Sequence, residues 1–272
     1  METIKTNKLS VALLLLVAIS YVGCKNSSEE QSKVEPIVET VEKPDSIYVC
    51  RIGANGEEGA YDMIYYTYDA AGNIICQLDS FLEKNIDPIK EKMEIDYNAK
   101  GLIIEDRQYS CYKSTPDRWH YDFSTQYFYD TNDRLSELVI DSYVKQTYTW
   151  SDDSHSECVL YNYNRKNEED PWEAYHRIEY TYNAHKDIEK AVCYSLSGKD
   201  ASSGGTLFYT QEYTYDQYGN IVSVERFEKD VVTDGNYYTY EYGANGKILV
   251  VWRKSSNSSA HSTSTTKYVY YY

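Results

Sequence analysis

Tyr66-Thr67-Tyr68-Asp69-Ala70-Ala71-Gly72-Asn73-Ile74 returns almost unchanged as Tyr213-Thr214-Tyr215-Asp216-Gln217-Tyr218-Gly219-Asn220-Ile221. Looser copies centre on Tyr97, Tyr129, Trp150, Tyr182 and Tyr242, which makes seven units in one chain. Their anchoring aromatics stand 29, 32, 21, 32, 33 and 27 residues apart. Internal repetition at this period signals an architecture of stacked supersecondary units. Within a unit, Tyr-Thr-Tyr alternates β-formers, so both rings leave one face and the threonine leaves the other. The Asp or Asn that follows folds its side chain onto the backbone, and the glycine three positions later supplies a positive φ. Ile then opens the return strand. Each unit predicts a β-hairpin with a bulged type I turn, and successive hairpins predict an antiparallel meander.

The face that carries the rings must be covered. Taking alternate residues upstream of Tyr129 puts Trp119, Tyr121, Phe123, Thr125 and Tyr127 on one side, opposite His120, Asp122, Ser124, Gln126 and Phe128. The same arithmetic upstream of Tyr182 gives Trp172, Ala174, His176, Ile178 and Tyr180, opposite Glu173, Tyr175, Arg177, Glu179 and Thr181. Strands of about eleven residues, dry on one side and wet on the other, follow from this alternation. No amphipathic helical stripe after residue 45 is available as a lid. The expected fold is therefore all-β: a hairpin-repeat meander curled into an open or closed barrel-like sheet whose interior is filled with phenol rings. Composition agrees, because 32 of the 272 residues are tyrosine, and tyrosine buries area while its hydroxyl seeks a partner.

Residues 1–23 read as an export signal. Lys5 and Lys8 precede an apolar run from Leu9 to Ile19, too short to span a bilayer comfortably as a helix. The run leads to Tyr21-Val22-Gly23-Cys24, which resembles the lipobox of bacterial lipoproteins, with Tyr21 standing where Leu is usual. That resemblance implies cleavage before Cys24 and acylation of Cys24, which then partners membrane lipid; several acyl chains hold a protein stably without a spanning segment. Residues 24–45 are acidic and polar and read as a flexible tether, and residues 46–272 form the repeat domain. The expected location is the cell envelope, lipid-anchored at the outer membrane on its surface or periplasmic face.

The Tyr-Asp-x-x-Gly-Asn-Ile units at Tyr68–Ile74 and Tyr215–Ile221 resemble the YD (Rhs) repeat. Members of that family build spiralling hairpin sheets that can wrap into a shell, for which carbohydrate-binding roles have been suggested. Lipobox and degenerate repeats together are also similar to uncharacterised surface lipoproteins of porin-like β fold. Asp133 and Lys186 depart from the motif by replacing glycine, and Trp150 departs by replacing tyrosine.

A formal charge of −16 argues against nucleic acid as a partner. Cys50, Cys76, Cys111, Cys158 and Cys193 show no metal-knuckle spacing and read mostly as small apolar fillers. His120, His155, His176, His185 and His261 complete no ligand motif, so no metal and no cofactor is expected. Hydrolase, phosphate-loop and dinucleotide signatures are absent from the sequence, and the expectation is a non-enzyme. Acidic runs such as Asp152-Asp153 and Glu168-Glu169-Asp170 read as solvated loops, with a glycan-processing carboxylate pair as the alternative. Trp119 and Trp172 admit two readings, as core anchors or as stacking platforms for a glycan; Trp252, in the apolar run from Ile248, reads as core. The remaining alternative, a β-barrel component spanning the envelope, needs an apolar outward stripe. The outward positions are instead Thr67, Arg177, Glu179, Thr181, Thr214 and Glu241. The function expected is a non-catalytic binding or structural module that engages glycan or an envelope protein.

Overall fold

The computed structural model describes residues 43–82, 88–141, 143–152, 154–163, 172–196, 205–243, 246–258 and 262–272. Cys24, the signal, residues 24–42 of the tether, Asp153, Glu168, Glu169, Asp170 and His261 lie outside these residues. The described chain forms sixteen strands and no helix. They are β1 (Ser46–Ile52), β2 (Glu58–Tyr68), β3 (Ile74–Phe81), β4 (Lys90–Tyr97), β5 (Ile103–Cys111) and β6 (His120–Tyr129). The chain continues through β7 (Leu135–Ile140), β8 (Val144–Trp150), β9 (His155–Tyr163), β10 (Trp172–Tyr182) and β11 (Ile188–Ser195). The last five are β12 (Thr206–Tyr215), β13 (Ile221–Glu228), β14 (Val231–Tyr242), β15 (Ile248–Asn257) and β16 (Ser262–Tyr271). Each strand pairs antiparallel with its sequence neighbours, and β1 pairs with β16 from Ser46↔Tyr271 to Ile52↔Thr265. The meander is thus a closed barrel, which leaves no sheet edge to template aggregation.

The seven repeat units are the seven turns at one end of this barrel. At Asp69, the backbone N–H bonds Asn73 O at 2.9 Å, Gly72 N–H bonds Asp69 O at 2.9 Å, and Asn73 N–H bonds Asp69 Oδ1 at 2.7 Å. Asn98, Asp130, Asn183 and Asp216 make the same side-chain bonds in their turns. The fourth turn residue takes φ of +81° at Gly72, +79° at Gly101 and +82° at Gly219, and this left-handed geometry is also imposed on Asp133 (+61°) and Lys186 (+68°). The backbone therefore follows the repeat even where glycine is missing.

At six of these turns the register slips by one residue at the start of the return strand, as Thr67↔Cys76 gives way to Tyr68↔Ile74. The bulge leaves Ile74 beyond the last pair that β3 makes with β4, Cys76↔Glu94. Ile74 O has no ladder partner on that side, and Tyr97 OH donates to it at 2.8 Å. The arrangement repeats around the rim: Tyr129 OH to Ile103 O (2.8 Å), Trp150 Nε1 to Leu135 O (2.8 Å) and Tyr215 OH to Ile188 O (2.6 Å). Tyr240 OH bonds Ile221 O (2.7 Å) and Tyr272 OH bonds Ile248 O (2.8 Å). The turn between β8 and β9 has no bulge, His155 stays paired with Thr181, and there Tyr182 OH meets Ser156 Oγ instead, at 2.8 Å. Four of the seven anchoring aromatics, Tyr97, Tyr129, Trp150 and Tyr215, thus meet an orphan carbonyl that a bulge supplies, whereas Tyr242 bonds Asp216 and Asn220 of the preceding turn and leaves Ile221 O to Tyr240.

Behind this rim the rings pack. Ile188, Ala191, Tyr213 and Val224 form a buried cluster, against which Tyr180, Tyr182 and Tyr215 lie, and Trp150 stacks on Tyr182 at 5.3 Å. Cys50, Cys111, Cys158 and Cys193 are buried free thiols and Cys76 is half-buried. The N-terminal chain enters at the same rim: Asp45 N bonds Tyr271 O at 2.8 Å, and Tyr68 OH bonds Pro44 O at 2.7 Å.

Trp119 and Trp172 stand where period-2 counting does not place them, and Trp252 stands outside although its apolar run reads as core. Between Tyr121 and Phe123 the β5–β6 register slips, from Gln108↔Phe123 to Tyr109↔Tyr121. A second slip on β10 separates Ala174 from His176. Each bulge inverts the alternation, so Trp119, Tyr121 and Trp172 lie on the outer face, and Tyr121 is 53% exposed. Trp252 is likewise outside, its Nε1 on Glu241 at 3.1 Å and its ring under Lys267 at 5.0 Å. Single-residue insertions into a strand carry no composition signal, which is why alternation alone misplaces these rings.

The turn strain is measurable. Gly101→Ala, where nothing crowds an added methyl, is expected to cost about 1 kcal/mol from the positive φ alone. Lys186→Gly is expected to shift stability in the opposite direction; urea midpoints of the two variants check both signs.

Candidate functional site

The end opposite the tight turns holds the other connections, from the short β13–β14 link to the longer β5–β6 and β11–β12 ones, and is termed the mouth. Here β2, β6, β10 and β12 each carry their second register slip. Bulges re-aim side chains; the extra residues here are Tyr61, Asp122, Tyr175 and Phe208, while Asp62 and His176 face inward by ordinary alternation with Ile64 and Ile178.

One arc of the wall is acidic. Asp62, Asp79, Glu91 and Asp122 come from β2, β3, β4 and β6, and none is ion-paired among the described residues. Gln77 Nε2 donates to Asp79 Oδ1 at 3.0 Å, Met63 N–H to Asp62 Oδ1 at 2.7 Å, and Ser110 Oγ to Asp122 Oδ2 at 2.5 Å. Burial pushes the Asp79 carboxyl up to about 7, and the nearby Asp62 charge adds to the rise. Burial also raises Glu91, reinforced by Asp122 and Asp62, and it raises Asp62 against the pull of two backbone donors. Deeper on β5, Asp106 is raised by burial too, although Tyr127 OH donates to its Oδ2 at 2.7 Å. Gln77, Asp79, Glu91, Met93 and Gln108 enclose a cavity of about 20 Å³, room for one water.

The other arc is aromatic and basic. His176 stacks on Phe208 with centroids 5.4 Å apart and planes 10° from parallel. The Arg226 guanidinium sits 4.1 Å from the Tyr209 ring and 5.2 Å from Phe208. Arg226 Nη2 reaches Glu228 Oε1 at 2.8 Å, but Arg226 Nε and His176 Nδ1 are buried with no partner. Arg253 Nε, on the inner face of β15, is in the same condition.

The outer wall differs in kind. Lys92–Glu94 (2.7 Å), Arg107–Asp96 (2.6 Å), Arg177–Glu179 (3.2 Å) and Lys190–Glu212 (3.1 Å) cross its middle. Such exposed pairs contribute about 0–1 kcal/mol each; their significance is that this surface is wet. Trp119 and Trp172 stand at the mouth end of this outer wall in two equivalent clusters. Lys92 Nζ lies 4.5 Å from the Tyr109 ring and 5.2 Å from Trp119, and Lys145 Nζ lies 5.0 Å from Tyr161 and 4.8 Å from Trp172. The structure does not bring the two tryptophans into the mouth. A surface hollow of about 180 Å³ beside Ser124, Gln126, Val139 and Asp141 is also on this outer face, where Asp141 accepts from Tyr121 OH at 2.7 Å and Ser124 N–H at 3.0 Å.

Among the described residues, no group of three His, Cys, Asp or Glu side chains is arranged to hold a metal ion. The mouth residues escape sequence reading because they are scattered over strands from β2 to β15, and only Gln77 and Asp79, polar residues at alternate positions of one strand, offered a signal.

No protein-family model and no curated protein matches the chain. Among solved structures it is similar to a porin-like protein from Bacteroides uniformis ATCC 8492 (11% identity, 84% of this chain and 95% of that one, TM-score 0.37). A porin-like protein from Bacteroides vulgatus ATCC 8482 also aligns, at 11% identity, 83% and 97% coverage and TM-score 0.29. The TcdB2-TccC3 chain aligns over 73% of this chain and 12% of its own, at 12% identity and TM-score 0.22. Likenesses this distant carry no function across.

The acidic arc fixes a pH dependence. A carboxyl raised in the folded state binds its proton more tightly there than in the unfolded chain, so stability is highest below the unfolded pKa near 4 and falls as pH rises through about 7. Asp79→Asn is expected to flatten that fall and to stabilise the protein at pH 8 on the order of 1 kcal/mol; urea unfolding at pH 5 and pH 8 measures it, and an unchanged slope contradicts the assignment.

Proposed function

We propose that this chain is an envelope lipoprotein, anchored through acylated Cys24, whose YD-like hairpin barrel is a non-catalytic binding or structural module for glycans. The observation that carries the reading is the barrel's polarity. Among the described residues its outer wall is crossed by ion pairs at the height where a lipid-facing barrel carries its apolar belt, so the body suits water with a separate anchor. No helix among the described residues is long and apolar enough to cross a membrane, and the anchoring chemistry the sequence offers is acylation at Cys24. The tether joins the tight-turn rim through Pro44 and Asp45, which leaves the polar mouth at the free end.

A glycan suits that mouth because carboxyls, amides and rings supply hydrogen bonds and stacking together. A glycan-processing role is the second reading, favoured by the carboxyls of the acidic arc; turnover of any glycan by purified protein replaces the first reading with it.

Labelling with an alkyne fatty acid in a bacterial host tests the anchor. Wild type is expected to incorporate label and to sediment with membranes, and Cys24→Ala to lose both; equal labelling of the variant contradicts lipidation. Glycan-array binding that persists after Trp119→Ala and Trp172→Ala are combined assigns recognition to the mouth rather than to the outer tryptophans.

A further inference from the structure

We propose that the His176–Phe208–Tyr209–Arg226 cluster on the inner wall is the ligand subsite, and that it takes a carboxylated sugar, a uronate, in preference to a neutral one. The proposal rests on the glycan-binding reading and names the site and the chemistry within it.

Phe208 is the starting point. It belongs to the bulge of β12, where Cys193↔Tyr209 steps to Tyr194↔Leu207, and it is 44% exposed while its ring meets His176, Tyr209 and Arg226. A phenylalanine ring left in water at a polar mouth offers an apolar face. His176 covers one side of it in parallel at 5.4 Å, and the Arg226 guanidinium approaches at 5.2 Å. The rings therefore hold Arg226 flat, with one nitrogen already committed to Glu228. Its Nε–H is a donor in every protonation state, is buried, and has no acceptor. His176 Nδ1 is also buried and unpartnered. Native structures rarely leave such buried polar atoms unmet, and an unmet one points to a water or a ligand.

A pyranose bearing a carboxylate meets all of these requirements. Its C–H face stacks on Phe208, and its carboxylate accepts from the guanidinium, the residue type best suited to planar oxyanions. The acidic arc on β2, β3, β4 and β6 disfavours a carboxylate, so along this wall the acid group is directed to Arg226.

Calorimetry with a tetragalacturonate and its methyl ester, on the full chain, tests this. The free acid is expected to bind at least tenfold tighter than the ester, and that preference is expected to vanish in Arg226→Gln. Phe208→Ala, at an exposed ring, is expected to weaken acid and ester alike by about tenfold while leaving the melting temperature in place. Equal binding of acid and ester by the wild type, no binding of either, or an Arg226→Gln variant that is folded and unaltered overturns the proposal. Binding of neutral glycans that ignores both substitutions rejects this subsite while leaving the glycan module intact, whereas binding of no glycan removes both.

Discussion

Everything in this barrel turns on one hydrogen bond, from a ring donor on one hairpin to the carbonyl that a bulge has expelled from the hairpin before it. The tight turn forces the bulge, because a type I turn closed by a positive φ shifts the return strand by one residue. The bulge in turn takes the first residue of that strand out of pairing with the next. A buried carbonyl without a partner costs about 1–3 kcal/mol, and each of the six bulged turns would incur that loss. A phenol or indole on the next strand cancels it, and it also buries a ring against the inner face. Turn, bulge and aromatic are thus a single device, and its repetition explains why this chain spends so many tyrosines and so few leucines.

The device also accounts for closure. Tyr272 covers Ile248 O from the last strand, and Tyr68 covers Pro44 O beside the first, so the rim is continued through the seam where β16 meets β1. The two ends of the barrel divide the work. The tight-turn rim is aromatic and internally satisfied, whereas the mouth collects carboxyls, guanidinium groups and unpartnered nitrogens at elevated cost. Asp79 and Glu91 are held together against their mutual repulsion. Such an arrangement destabilises the folded chain and is the kind of cost associated with binding sites.

How far the sequence disclosed this follows from which signals are local. Tyr66–Ile74 contains its whole turn, so the hairpins, their number and the antiparallel order were legible from residue types alone. Closure was legible only as one of two outcomes, since nothing local reports whether residue 46 meets residue 271. The second set of bulges was not legible at all: the slips at Asp122 and Tyr175 invert the faces of Trp119 and Trp172 while leaving the alternation upstream looking intact. The mouth was hidden for a further reason. His176, Phe208 and Arg226 are 18 to 50 residues apart, and only the pairing of β10 through β13 brings them to one wall.

The decisive measurement removes the hydroxyls and keeps the rings. Tyr97→Phe, Tyr129→Phe and Tyr215→Phe each leave a bulge carbonyl uncovered, with Tyr218→Phe as the control at an exposed turn. Equilibrium urea unfolding is expected to show each of the three losing about 1–2 kcal/mol and the control losing nothing measurable. If the three variants unfold at the wild-type midpoint, the rim bonds do not hold the barrel together.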